Sequence, residues 1–254
     1  MLGSISRLEF LRLVVGAPLA SLAGACSTST EPRRGGTGRL TVIPTAPTIA
    51  APAGLSALGL STGRDGWLYV PQGYTPTRTW PLALFFHGAI TPARPYVEAF
   101  VPFADAAGLV ILAPDSRQST WDLVHGGFGA DIPFIDRAIA HTFERVAVDP
   151  ARIGIMGFSD GGSYALSLGV TNGDVARRLA AFAPGFLSFR ERHGSPPVRI
   201  VHGTSDTVLP IEQTGRPITA ELRALGYSVE LREFAGGHGV PLSIVPDVIQ
   251  WLAG

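Results

Sequence analysis

One segment of this 254-residue chain has residue types and spacing suited to nucleophilic chemistry, the run GFSDG at residues 157–161. It follows the pattern G-x-S-x-G, whose glycines leave room for a tight strand-to-helix turn that exposes the serine hydroxyl. An apolar run at residues 153–156 precedes it as a strand would, and a helix-like stretch begins at Gly161. A second copy around Ser61 leads into a strand, which is the reverse order. We therefore predict Ser159 as the nucleophile.

Two later segments could supply the base and the acid that a serine nucleophile requires. Asp206 lies in the turn after a predicted strand at residues 198–201, and His238 follows another strand, at residues 229–234, within the run GGHG. We predict that His238 takes the serine proton and that Asp206 orients the imidazole. We expect activity to rise with pH through the range in which an ordinary imidazole titrates, about 6.5.

Four other histidines and aspartates are weaker candidates for the same roles. His202 directly follows the strand at residues 198–201, where it would pack near the acid loop, and His193 sits in a polar connection. Asp149 and Asp174 lie beside predicted helix ends instead of after a late strand.

The negative charge that develops on a substrate oxygen needs hydrogen-bond donors. The run FFHGA at residues 85–89 follows a predicted strand, which makes the backbone N–H of Ala89 one candidate donor. The backbone N–H of Asp160, directly after the nucleophile, is the other. We expect His87 to brace the first loop, and the segment His125-Gly126-Gly127 to line the site as a second loop.

Apolar side chains near these loops are candidates for contact with an acyl or aryl group, with ordinary core packing as the alternative for each. They are Trp121, Phe158, Phe186, Leu187, Val208 and Leu209. The connection between the predicted strands at residues 179–182 and 198–201 is too short for a large lid, so we expect an open site. Such a site suits short acyl esters, aryl esters or the chain ends of a polyester.

Alternating strands and helices must position these residues. Continuous apolar runs of four or five residues are typical of strands buried on both faces of a parallel sheet. Strands are predicted at residues 40–43, 66–70, 82–86, 109–112, 153–156, 179–182, 198–201 and 229–234, and helices at about 95–107, 131–146, from 161, 211–225 and 242–252. This order predicts an α/β fold with a mostly parallel, doubly wound sheet, helices on both faces and no large lid domain.

The composition excludes several other chemistries. Hydrophobic residues make up 46% and charged residues 16% of the chain, the formal net charge is zero, and all 20 basic residues are arginine. Without lysine there is no Schiff base, Ser–Lys dyad or Walker-type phosphate lysine. The single cysteine, Cys26, excludes an intramolecular disulfide and a multi-cysteine metal site. We expect no cofactor, no metal ion and no nucleic-acid partner.

The N-terminal residues resemble an export signal. Residues 13–25, after Arg7 and Arg12, form a short apolar run suited to a signal peptide. The run LAGAC at residues 22–26 resembles a bacterial lipoprotein cleavage site, with a plain signal peptide and an incidental cysteine as the alternative. We predict a signal peptide at residues 1–25, a lipidated Cys26 and flexible tether at residues 26–38, and a catalytic domain at residues 39–254. The protein would then be held at a membrane of the bacterial cell envelope, or secreted.

Four segments together carry a family resemblance: the run around Ser159, FFHGA, HGTSD at residues 202–206 and GGHG at residues 236–239. In this order they resemble the α/β-hydrolase superfamily, and within it serine esterases of the phospholipase/carboxylesterase-like branch, over about residues 40–254. The resemblance implies a serine hydrolase that cleaves carboxylic esters, of small molecules or polymer ends, through an acyl-enzyme. Members of the branch often carry Gln after the nucleophile, whereas this chain has Asp160, whose carboxylate could cap the following helix.

Two other functions stay open on the same residues. A serine peptidase or amidase uses the same triad on the same fold. A lipid-anchored binding protein with an inactive site is the other alternative, against which the intact chain order of Ser159, Asp206 and His238 argues.

Overall fold

An eight-stranded sheet forms the centre of the computed structural model, which describes residues 36–41 and 44–254. Its strands are β1 (Gly54–Ala57), β2 (Gly66–Val70), β3 (Trp80–Phe86), β4 (Val110–Pro114), β5 (Val148–Phe158), β6 (Arg178–Phe182), β7 (Val198–Gly203) and β8 (Val229–Phe234). They lie in the order β1-β2-β4-β3-β5-β6-β7-β8. The pairs β1–β2 and β2–β4 are antiparallel, and the neighbouring pairs from β4 to β8 are parallel.

Helices cover both faces of this sheet. Those among the described residues are α1 (Arg94–Ala107), α2 (Asp122–His125), α3 (Asp131–Phe143), α4 (Asp160–Thr171), α5 (Gly215–Ala224) and α6 (Val245–Ala253). Successive side chains of a strand point to opposite faces. In β3, Leu82 and Leu84 therefore pack in one core with α3, α4 and α5, whereas Phe85 packs in a second core with α1 and α6. The predicted α/β architecture, with a mostly parallel doubly wound sheet, is confirmed.

Burial on both faces explains why the central strands appear as unbroken apolar runs in the sequence. All seven residues of β3 and all five of β4 are buried. Side chains on either face of such a strand contact a helix, so polar residues would lose hydration without a partner. The edge strand β1 has the sequence GLSA and is half-exposed, which leaves no apolar run to reveal it.

The start of the described chain differs from the prediction of a strand at residues 40–43. Leu40 and Thr41 are not in a strand, and residues 42–43 lie outside the described part. The backbone N–H of Leu40 donates to Asn172 Oδ1 at 2.9 Å, and that of Thr41 donates to Asp136 Oδ1 at 3.1 Å. Side chains at the end of α4 and within α3 thus hold this segment in place of a strand partner.

Most of the predicted export segment lies outside the described residues. This includes the signal peptide at residues 1–25, the lipidation site Cys26 and the tether as far as residue 35. The last tether residues, 36–38, contact the fold: Gly36 N–H donates to Phe128 O at 2.6 Å, and Gly38 lies against the Phe128 ring. None of the helices in residues 36–41 and 44–254 has the length and apolar character to cross a membrane.

The topology brings four predicted site residues to one edge of the sheet. Parallel strands have their carboxyl ends on the same side, and ligands of open α/β sheets bind there. Ala89 follows β3, Ser159 follows β5, Asp206 follows β7 and His238 follows β8.

Candidate active site

A strained turn presents Ser159 above the end of β5. Its backbone angles are φ 56° and ψ −121°, a region that residues with a side chain rarely adopt. The turn closes tightly, since a Cβ atom at Gly157 would lie 2.1 Å from Gly161 O. A Cβ atom at Gly161 would lie 2.1 Å from Phe86 O, at the end of β3. Both glycines are therefore required for α4 to begin directly beside the neighbouring strand.

The three predicted triad side chains form one hydrogen-bonded chain. Ser159 Oγ lies 2.9 Å from His238 Nε2, and His238 Nδ1 lies 2.7 Å from Asp206 Oδ2. In the neutral imidazole, Nδ1–H donates to the carboxylate and Nε2 accepts from the serine hydroxyl. Ser159 and Asp206 are buried, and the His238 side chain is 16% exposed. The Ser159 hydroxyl thus lies within hydrogen-bond reach of a partly exposed imidazole, which is itself bonded to a buried carboxylate.

Backbone hydrogen bonds join the acid loop to the histidine loop. Thr204 N–H donates to Phe234 O and Ser205 N–H donates to Gly236 O, both at 2.9 Å. This contact depends on Gly203, because a Cβ atom there would lie 2.4 Å from the carbonyl oxygens of the histidine loop. The Phe158 ring packs against the His238 ring, with 4.9 Å between their centroids. Together these contacts hold His238 over Ser159.

A second histidine, His202, braces the carboxylate of Asp206. Asp206 Oδ1 accepts from the backbone N–H groups of Val208 at 2.9 Å and Leu209 at 2.8 Å. His202 Nε2 donates to Leu209 O at 2.8 Å and lies 3.3 Å from Asp206 Oδ2. Burial lowers the pKa of His202, which keeps its ring neutral. His202 therefore supports the acid loop, as the sequence analysis expected, and does not contact the nucleophile.

The other rival residues have charged neighbours of their own. His193 is 3.7 Å from Glu191, Asp149 pairs with Arg152 and Asp174 pairs with Arg39. The Arg39 hydrogen bond lowers the pKa of Asp174 to about 2. Exposed pairs of this kind contribute little to stability, and these hydrogen bonds engage the carboxylates of Asp149 and Asp174 away from the triad.

The loop after β3 lies beside the nucleophile. A Cβ atom at Gly88 would be 3.4 Å from Ser159 Cβ and 3.2 Å from the Phe158 ring. Among hydrogen bonds within the described part of the chain, none is donated by the backbone N–H of Ala89 or Asp160. An oxyanion needs backbone N–H groups that are not engaged elsewhere, so these two amides stay the candidate donors.

Buried polar contacts hold this loop in shape. Burial lowers the pKa of His87, and in the neutral ring Nδ1–H donates to Gly88 O at 2.7 Å. Its Nε2 accepts from Ser116 N–H at 3.0 Å. Trp121 Nε1–H donates to His87 O at 2.8 Å. His87 thus lies where the sequence predicted a bracing residue.

The carboxylate of Asp160 is buried and accepts a hydrogen bond from the Thr120 hydroxyl. Burial raises the pKa of Asp160, against the opposing effects of the Thr120 hydrogen bond and of nearby His125 and His238. The sequence analysis did not identify Thr120, because no motif marks a residue in the connection after β4. The prediction that His125, Gly126 and Gly127 line the site as a loop is wrong for the two glycines. His125 is the last residue of α2, and Gly126 and Gly127 line a separate cleft with Phe189.

Three of the six apolar side chains predicted to contact substrate belong to the core instead. Trp121, Phe186 and Leu209 are at most 1% exposed, so they offer no surface to a ligand. Trp121 stacks on Tyr164 with ring centroids 4.7 Å apart. Of the others, Phe158 and Leu187 are half-buried and Val208 is 45% exposed. Only Phe158 of these three lines the apolar groove that His238 also lines.

Within residues 36–41 and 44–254, no group of three or more His, Cys, Asp or Glu side chains is arranged to hold a metal ion.

No protein-family model matches this chain, but several solved structures share its fold at low sequence identity. Esterase PE8 is 18% identical, with a TM-score of 0.57 over 74% of this chain and 96% of its own. An S-formylglutathione hydrolase from Agrobacterium tumefaciens is 18% identical, with a TM-score of 0.57 over 78% and 93%. FphF, a fluorophosphonate-binding serine hydrolase from Staphylococcus aureus, is 14% identical, with a TM-score of 0.60 over 80% and 99%. These likenesses and the strand order show that the chain has the α/β-hydrolase fold.

Proposed function

We propose that this α/β-hydrolase-fold protein is a serine hydrolase that cleaves carboxylic esters through an acyl-enzyme. The observation that carries the proposal is the hydrogen-bonded chain from Ser159 through His238 to Asp206, with distances of 2.9 and 2.7 Å. A serine hydroxyl, an imidazole and a buried carboxylate in this order are the groups that acyl transfer uses.

In the first half of the proposed reaction, Ser159 Oγ attacks the ester carbonyl carbon while His238 Nε2 takes the hydroxyl proton. Asp206 holds the imidazole in the required tautomer and stabilises the imidazolium that forms. The backbone N–H groups of Ala89 and Asp160 donate to the oxygen that becomes negative. His238 then gives the proton to the alcohol oxygen, the bond from the carbonyl carbon to that oxygen breaks, and the alcohol leaves.

In the second half, water takes the place of the alcohol. His238 removes a proton from the water as the oxygen attacks the acyl carbon, and returns it to Ser159 Oγ when the acyl–serine bond breaks. The strained backbone of Ser159, held by the N–H bond to Phe182 O at 2.8 Å, keeps the nucleophile in the same place through both steps.

The names of the similar structures favour esters over amides. Two of them are named as an esterase and as an S-formylglutathione hydrolase, and neither name is that of a peptidase or an amidase. A serine peptidase or amidase is the alternative on the same triad. We expect p-nitrophenyl esters to be cleaved far faster than aminoacyl anilides, and the reverse preference would favour the alternative.

The experiment that tests the proposal compares two serines in matched motifs. Ser159→Ala removes the proposed nucleophile, and Ser61→Ala changes the serine of the other G-x-S-x-G run. We expect kcat for a short p-nitrophenyl ester to fall on the order of a millionfold in Ser159→Ala and to stay unchanged in Ser61→Ala. A fluorophosphonate probe labels the wild type and Ser61→Ala but not Ser159→Ala.

Failure of the probe to label the folded wild type, together with no cleavage across a panel of esters, would favour an inactive binding protein. Retention of most activity in Ser159→Ala would reject the assigned nucleophile. The activity of the wild type is expected to rise as an imidazole loses its proton, and a kcat/KM that is flat from pH 5 to 9 contradicts the role of His238.

We further propose that the protein is exported and anchored by a lipid on Cys26. The support is the sequence alone, an apolar run followed by LAGAC. Expression of the full chain with labelled palmitate is expected to label the wild type and not Cys26→Ser. If neither the wild type nor Cys26→Ser is labelled, residues 1–25 would instead be a plain signal peptide and Cys26 would not be lipidated.

A further inference from the structure

An apolar groove with a volume of about 410 Å³ adjoins the triad. It lies between the first half of α1 and the loop that follows β8. Ten described residues line it, and none of them is Asp, Glu, Lys or Arg. They include Tyr96, Ala99, Phe158, His238, Val240 and Leu242. Its volume is within the range of small-molecule sites.

His238 is itself part of the wall of this groove, which decides which half of an ester can enter it. When the acyl-enzyme forms, His238 Nε2 gives its proton to the oxygen of the leaving alcohol. That oxygen must therefore lie within hydrogen-bond reach of Nε2, and the group it carries extends along the His238 side of the site. We propose that the groove binds the leaving alcohol of the ester, and that this alcohol is an uncharged aryl or bulky alkyl alcohol. The proposal rests on the proposed function and specifies the substrate of the same site.

Aromatic rings form the floor of the groove beside the reacting atoms. The Tyr96 and Phe158 ring centroids are 5.8 Å apart, and the Phe158 and His238 centroids are 4.9 Å apart. A continuous set of tilted rings favours a planar apolar group over a hydrated one. Leu242 adds an apolar rim, with 54% of its surface exposed although it is a large hydrophobic residue. An exposed apolar side chain at the mouth of a site gains by covering a ligand.

The charged residues of α1 do not turn into the groove to bind an anionic or cationic alcohol. Arg94 Nε donates to Glu98 Oε1 at 2.7 Å, and the Arg94 guanidinium lies 4.6 Å from the centre of the Trp67 ring. Burial raises the pKa of Tyr96, so its hydroxyl stays neutral near pH 7. An alcohol with a carboxylate or ammonium group would therefore lose hydration there without gaining a charged partner.

The test distinguishes binding of the alcohol from binding of the acyl group by comparing two esters that have the same acyl group and different alcohols. Ala99→Trp fills the groove from an exposed position on α1, and Ala106→Trp places the same side chain at an exposed position of α1 that does not line it. 1-Naphthyl acetate and methyl acetate share the acyl group. We expect Ala99→Trp to lower kcat/KM for the naphthyl ester by about 10- to 100-fold, and that for methyl acetate by less than about twofold. Ala106→Trp changes neither.

The second measurement follows the enzyme after the alcohol has left. Treatment with 1-naphthyl N,N-dimethylcarbamate leaves a carbamoylated serine, and the return of activity after the reagent is removed measures its hydrolysis. Because no alcohol is present at that stage, we expect Ala99→Trp and Leu242→Asp to recover at the wild-type rate, although Leu242→Asp also cleaves 1-naphthyl acetate more slowly. Recovery that is slowed as much as acylation would assign the groove to the acyl group and overturn the proposal.

Equal losses for naphthyl and methyl acetate in Ala99→Trp, or no loss for either, also overturn it. These results differ from failure of the proposed function, in which the wild type cleaves neither ester and is not carbamoylated. Circular dichroism of both tryptophan variants confirms that they are folded before rates are compared.

Discussion

The close approach of α4 to the end of β3 makes a sharp prediction for Gly161→Ala. A Cβ atom at Gly161 would lie 2.1 Å from Phe86 O and 2.4 Å from His87 O, and both atoms belong to the backbone. Contacts shorter than 3.0 Å are essentially never seen for Cβ atoms, so the helix start and the β3 loop must separate by about 1 Å. That movement displaces Ser159 and the Asp160 N–H together from the Ala89 N–H on the β3 loop.

The expected magnitudes follow from this displacement. A misplacement of about 1 Å in a catalytic arrangement costs about 100-fold in rate, so we expect kcat/KM for a short ester to fall by about that factor. Overpacking of a core costs about 1 to 3 kcal/mol, and the higher helix propensity of alanine returns up to about 1 kcal/mol. The free energy of unfolding is therefore expected to fall by about 0 to 3 kcal/mol, less than the stability of a typical domain, so the variant is expected to stay folded.

The assay pairs steady-state ester hydrolysis with urea unfolding, and the matched control is Gly63→Ala. Gly63 closes the other G-x-S-x-G run, and a Cβ atom there meets nothing within 4 Å. We expect this control to retain wild-type activity. If Gly161→Ala kept its activity within about threefold while Gly63→Ala behaved as the wild type, the argument that this contact positions the oxyanion donors would be refuted.

Three further substitutions test other parts of the structure. Asp206→Asn favours the wrong tautomer of His238, so kcat/KM is expected to fall about 10⁴-fold, and a loss below tenfold in a steady-state assay contradicts the role. Burial and the nearby Asp131 raise the pKa of Asp122 from 3.8 to about 6. The folded state therefore binds the Asp122 proton more tightly than the unfolded state does, and the stability that this proton contributes is lost as pH rises through about 6. Asp122→Asn is expected to raise the melting temperature at pH 8 but not at pH 4. The gain at pH 8 corresponds to about 1 kcal/mol in the free energy of unfolding, after allowing for solvent screening. An equal change at both pH values contradicts this. Tyr164→Phe removes a buried hydroxyl that has no hydrogen-bond partner among the described residues, so the free energy of unfolding measured in urea is expected to rise by about 1 kcal/mol, and a fall of that size would reject the reasoning.

The sequence predicted the central strands, because burial on both faces of the sheet leaves a continuous apolar run in each of them. It missed β1, whose residues GLSA are half-exposed, and it assigned a strand at residues 40–43 where side chains of α3 and α4 hold Leu40 and Thr41. At an edge, the partner of a backbone amide can be a strand, a side chain or water, and local residue types do not distinguish them.

The substrate contacts show the same limit more clearly. Trp121, Phe186 and Leu209 have the residue types of a pocket wall, but the structure buries them completely. Tyr96 and Ala99 line the groove beside His238, although they come from a helix that carries no motif. Exposure to a ligand depends on which helix packs over a side chain, and that partner is distant along the chain.

By itself, the sequence determined which residues were chemically able to take part: a serine in a glycine-rich turn, one aspartate and one histidine after late strands, and no lysine. These features are local, since a tight turn needs glycine and a buried strand needs apolar residues. Only the tertiary structure showed that His202 braces Asp206 from behind, and that apolar surface beside the site lies along α1. Such choices depend on distances between segments that are separated by tens of residues, and only the packed sheet and its loops set those distances.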